Sequence, residues 1–165
     1  MILRCTRKLL AVIGPKLVAE SPPAPDPEDW YGNLLWFEGR KCLLLTHSAT
    51  LFSIFEADAR ASDLRATRHL VTRLIQRELR CEGLPSSTFA DPGPEEVILA
   101  RTADRSVLGC MNDMAVLCEQ TITRSRGLSR TDLDKLNRSL RRNINSARDY
   151  QRPIELTAGR LGAGR

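Results

Sequence analysis

At 165 residues, with 42% hydrophobic and 27% charged, the chain suits one domain with one sizeable core rather than two. Its formal charge of +5 is lopsided: residues 124–165 hold 11 Lys/Arg against four acids, and residues 1–123 hold 14 against 16, so the basic character belongs to the C-terminal quarter. No apolar run reaches the roughly 18 residues of a membrane-spanning helix.

Met1–Cys5 alternates weakly and predicts a strand at a sheet edge. The opening MILRCTRKLLAVIG has charges inside its apolar run and reads as structure rather than a signal peptide. Thr6 is placed to cap a short helix over 7–13, with Gly14 and Pro15 closing it. The prolines and acids of SPPAPDPED (21–29) make an exposed connection. From 30 to 55 the chain carries six of its eight aromatic residues. Two strand-like runs, 30–37 and 40–46, flank a Glu38-Gly39 loop of hairpin length. Cys42 and Leu44 face one way and Leu43 and Leu45 the other, which predicts a central strand covered on both sides. A third strand is expected over 50–55.

A helix follows from Ser62 or Asp63 to near Gly83, with Leu64, Val71, Leu74 and Ile75 on one face. Arg65, His69, Arg73, Arg77 and Arg80 share the opposite face. Glu78 falls on the apolar side; it needs a helix end open to water, an arginine partner or a chemical role. After a turn-rich loop, EVILAR (96–101) reads as a strand. A helix to about Thr123 follows, with Val107, Met111, Met114, Cys118 and Ile122 at core spacing. Gly109 within it suggests a close backbone approach or a later start of the helix. Ser129 and Asp132 open another helix to about Asn143, with Leu133, Leu136, Leu140 and Ile144 on one face and Arg138, Arg141 and Arg142 outside it. Residues 148–156 are expected to return as a short strand ending in PIEL, and 157–165 to fray.

These elements predict a single α+β domain over 1–156, with an antiparallel sheet of four or five strands built on the 30–55 meander and about three amphipathic helices packed on it. Three constellations are candidates for chemistry. Thr46, His47 and Ser48 bring hydroxyls beside an imidazole, the raw material of nucleophilic catalysis, although neighbours on a strand point to opposite faces. Asn112 and Asp113 offer a polar binding pair. Arg138, Arg141, Arg142, Asn143 and Asn145 are residue types that read phosphates and base edges; arginines also serve in bidentate ion pairs. Two histidines and five cysteines without a CxxC pair give no metal-ligand spacing, and they fit a reducing cytoplasm better than secretion. No P-loop or dinucleotide fingerprint is present, so no cofactor is expected.

The blocks DWYGNLLWFEGRKCLLLTHSATLFSIF, LGCMNDM and LNRSLRRNINS, with the opening MILRCTRKLL, resemble a bacterial family of small single-domain proteins described as a domain of unknown function. That resemblance implies a bacterial, cytoplasmic protein and carries no activity, cofactor or catalytic residue to any position. The residues themselves suggest first an interaction or regulatory protein whose basic C-terminal helix meets nucleic acid or an acidic partner. A hydrolase-type enzyme with a pocket near Thr46, His47, Ser48 and Asn112 is the second expectation. The third is a structural partner whose arginines are paired internally.

Overall fold

The computed structural model describes residues 1–14, 17–89, 93, 96–144 and 146–161. Among them are five strands, β1 (Ile2–Cys5), β2 (Trp30–Phe37), β3 (Arg40–His47), β4 (Ser53–Glu56) and β5 (Ile98–Arg101). There are six α-helices, α1 (Arg7–Ile13), α2 (Ala61–Arg65), α3 (Thr67–Cys81), α4 (Arg105–Arg124), α5 (Leu133–Arg142) and α6 (Pro153–Gly159). The strands form one sheet in the order β4-β3-β2-β1-β5.

The centre of that sheet is the aromatic hairpin. β2 and β3 pair antiparallel from Trp30 opposite His47 to Phe37 opposite Arg40. Glu38 (φ 52°) and Gly39 (φ 75°) both take positive φ, which matches the right-handed twist of the strands they join. The alternation along β3 divides two cores. Leu43 and Leu45 enter one with Leu3, Trp30, Phe52 and the apolar faces of α1 and α3. Cys42 and Leu44 enter the other with Tyr31, Phe55 and the buried stripes of α4 and α5. The sheet is therefore sandwiched between helices, as an apolar run on both faces requires. Close seating of α1 on β2 depends on Gly32, where an added Cβ would lie 2.8 Å from Leu9 Cδ2.

The sheet is mixed rather than an antiparallel meander. β3 and β4 pair antiparallel, but β1 runs parallel to both β2 and β5. β1 is thus an interior strand, not an edge, because β5 adds outside it. The helix expected over 62–82 is two helices, broken at Ala66 (ψ 37°), where the Thr67 hydroxyl donates to the Leu64 carbonyl. The strand expected to end in PIEL is α6: Pro153 starts the helix and Glu155 accepts from the Arg152 N–H at 3.4 Å. Thr157, expected to fray, is fully buried there. An added Cβ at Gly109 would meet nothing within 4 Å, so no backbone approaches that glycine closely.

Candidate functional site

The hydroxyl–imidazole trio does not converge. Thr46 turns toward α4, where its Oγ1 lies 3.0 Å from Ser53 Oγ and 3.8 Å from the Met114 sulfur. His47, next in the strand, turns to the other face and lodges between the rings of Trp30 and Phe89. Both are fully buried. Burial, with Arg160 and Arg148 nearby, pushes the His47 pKa down to about 3, so the ring is neutral. The N–H of Ser48 donates to the Asp29 carbonyl at 2.8 Å, and its own carbonyl accepts from Arg148 at 2.6 Å. Asn112 lines a cavity with Thr6, Arg7 and Asn33, whereas Ser48 lines a different one with Asp26, Ala49 and Arg148.

The basic C-terminal helix is engaged internally. Arg141 is 1% exposed; its Nη1 binds Glu78 at 2.9 Å and its Nε binds Glu82 at 2.8 Å. Arg142 binds Glu82 at 2.6 Å, and Arg77 spans Glu56 and Glu78 at 2.8 Å each. The result is an unbroken row Glu56–Arg77–Glu78–Arg141–Glu82–Arg142, three acids against three bases, joining β4, α3 and α5. Burial opposes ionisation of Glu82, but Arg142 and Arg141 hold its carboxyl below the usual range. Beside this row Asn137 completes the edge of β4: its Oδ1 accepts from Phe55 N at 2.7 Å and its Nδ2 donates to Phe55 O at 3.0 Å. Arg138 and Asn143 are exposed, and Asn145 lies outside the described residues.

A crevice opens where the chain leaves the parallel strands. β1 leads into α1 on one face of the sheet, and its neighbour β5 leads into α4 on the other. Connections that part in this way leave a gap beyond the carboxyl ends of the strands, the usual ligand position in open sheets. Two cavities flank Arg7 there. One, of about 610 Å³, is lined by Thr6, Arg7, Lys8, Asn33 and Asn112 over a floor of Ala11, Leu108 and Met111. The other, of about 470 Å³, is lined by Cys5, Arg7, Leu10, Ala11, Arg101 and Thr102. Among the described residues no carboxylate lines either. Thr6 Oγ1 donates to Asn33 Oδ1 at 2.9 Å, which turns the Asn33 amide so that its Nδ2 has no acceptor among the described residues. Burial pushes the Cys5 thiol up to about 12, so it is wall rather than nucleophile. Asp113, next to Asn112, is exposed and lines neither cavity.

Asn112 is the one crevice residue singled out from the sequence. Arg7, Lys8, Asn33 and Arg101 were missed because they come from three separate segments. The available signal was the pair of adjacent bases directly after a strand and its capping residue.

The family model described as "Domain of unknown function (DUF6933)" matches residues 2–156. No curated protein and no solved structure matches the chain.

Proposed function

We propose, for a chain that belongs to the DUF6933 family, a binding role: a regulatory or interaction domain that takes an anionic small ligand, bearing carboxylate or phosphate, into the crevice between α1 and α4. The observation that carries this reading is the convergence of Arg7, Lys8 and Arg101 on cavities lined by no acid. Among the described residues none of the three has a carboxylate within 4.0 Å. The acidic partner expected of the C-terminal helix is better accommodated here, because Arg141 and Arg142 already hold Glu78 and Glu82. Donors dominate the polar wall: two guanidinium groups, an ammonium and the oriented Asn33 amide. Such a wall selects a ligand rich in acceptors. The apolar floor of Ala11, Leu108 and Met111 favours a ligand with a hydrocarbon or ring portion.

Calorimetric titration with inorganic pyrophosphate and with citrate tests it, the two anions separating phosphate from carboxylate preference. Arg7→Ala removes a charge-assisted contact of about 1.5–3 kcal/mol and weakens binding by about tenfold or more. Asn112→Ala weakens it by several-fold, and Arg73→Ala, on the exposed face of α3, leaves it unchanged. Equal affinity in wild type and Arg7→Ala, or no heat with either anion, overturns the reading.

A further inference from the structure

At the end of β3, His47 presents a group that neither the crevice nor the fold explains. Thr50 N–H points at His47 Nδ1 at 3.4 Å, and Thr50 Oγ1 lies 3.1 Å from the same atom. That hydroxyl oxygen already accepts from Phe52 N at 3.2 Å, so its proton is available for the ring. Two donors on Nδ1 place the imidazole proton on Nε2. Nε2 is buried and has no hydrogen-bond partner among the described residues. A buried donor left unmet is rare enough to require an explanation.

The acceptor that faces it is Glu28, with Oε2 3.8 Å away, beyond hydrogen-bond reach. The same oxygen is held at 2.5 Å by Arg160, just past the end of α6. Arg160 also lies over the Phe89 ring, 5.6 Å from its centroid. Arg148, in the turn before α6, commits its guanidinium to the carbonyls of Ser48, Ala49 and Ala147. One imidazole N–H and the Arg160 guanidinium thus face a half-exposed carboxylate that does not satisfy the imidazole. An oxyanion with more than one oxygen can accept from His47 and Arg160 together, which Glu28 does not do from its own backbone position.

We propose that His47 Nε2 and Arg160 form a second oxyanion site, occupied by Glu28 as an internal carboxylate, and that a phosphate or carboxylate group on a partner molecule displaces it. Glu28 belongs to the exposed proline-rich segment and swings outward without disturbing the core. The site shares no lining residue with the two crevice cavities.

The chain has two histidines, and His69 is exposed on α3, so ring resonances in a long-range proton–nitrogen NMR spectrum separate cleanly. Inorganic phosphate and acetate are titrated into wild type and Glu28→Gln. The His47 Nε2–H resonance is expected to move in Glu28→Gln at about tenfold lower anion concentration than in wild type, with His69 unmoved. Movement with phosphate alone assigns the partner group as phosphate, and movement with both assigns any oxyanion. Arg160→Ala abolishes the shift, and Arg160→Lys, which keeps the charge and guards against loss of α6, retains part of it. A His47 resonance that neither anion moves in folded Glu28→Gln overturns the proposal. Because the readout is local to His47, its failure and failure of the crevice reading are distinguished.

Discussion

Replacing Arg141 with methionine isolates the electrostatic work of the charged row at the edge of β4, because methionine keeps most of the buried aliphatic volume. Arg141 is 1% exposed. It contributes bonds of 2.8 Å to Glu82 and 2.9 Å to Glu78, and its guanidinium lies 5.1 Å from the centre of the Phe52 ring. Breaking a buried pair by removing one partner costs about 3–5 kcal/mol, mostly through the charge left behind. Each carboxylate keeps one other arginine, Arg77 for Glu78 and Arg142 for Glu82, so the cost falls near the lower end, about 3 kcal/mol. In a domain of this length that lowers the melting temperature by about 6–12 °C. Urea unfolding followed by circular dichroism measures it. Adding Glu78→Gln to Arg141→Met removes the stranded charge and recovers about 1 kcal/mol or more. A cost for Arg141→Met below about 1 kcal/mol, or strictly additive losses in the double variant, would refute the reasoning.

Burial holds the His47 pKa down to about 3 in the folded chain, against 6.5 for an ordinary histidine. The unfolded chain therefore takes up the proton first. This contribution to stability is complete above about 6.5 and is lost as pH falls toward about 3, with a limiting slope of ~1.4 kcal/mol per pH unit. His47→Gln removes that slope, so wild type and variant converge on acidification in urea titrations; parallel curves contradict it. Gly127→Ala costs more than ~1 kcal/mol, because φ is +122° there and the new Cβ would lie 2.9 Å from Glu38 Oε1, disturbing the carboxylate that accepts from Leu128 N at 3.2 Å. Denaturation midpoints read it directly. Asn137→Leu strands both polar groups of Phe55 at the sheet edge and costs about 2–4 kcal/mol, with the Phe55 amide losing its hydrogen-exchange protection.

Local signals carried the centre of this fold. The Glu38-Gly39 turn, the alternation of Cys42 and Leu44 against Leu43 and Leu45, and the stripe of α4 from Val107 to Ile122 are each decided within one short segment, and each appears as read. What failed depends on distant partners. Nothing near Met1–Cys5 states that a strand almost a hundred residues later will lie outside it. PIEL satisfies alternation and a helix start equally, and Pro153 with Glu155 decides for the helix. Arg138 and Arg141 look alike in sequence, yet one is exposed and the other fully buried. The distinguishing pattern was present: Asn137 and Arg141 share an i, i+4 stripe beside the leucines of α5, and Glu78 and Glu82 share one on α3. Two such stripes of opposite character are matched, but only the assembled sheet edge brings them together. Thr46, His47 and Ser48 illustrate the same limit, since three adjacent polar residues on a strand belong to different environments.

Anion entry between α1 and α4, as proposed above, is read from backbone amide shifts mapped during titration with pyrophosphate. Saturable movement confined to Thr6, Arg7, Lys8, Asn33, Arg101 and Asn112 is expected, and it is lost in Arg7→Ala. Movement centred instead on α5, or scattered in proportion to ionic strength and indifferent to Arg7, would contradict it.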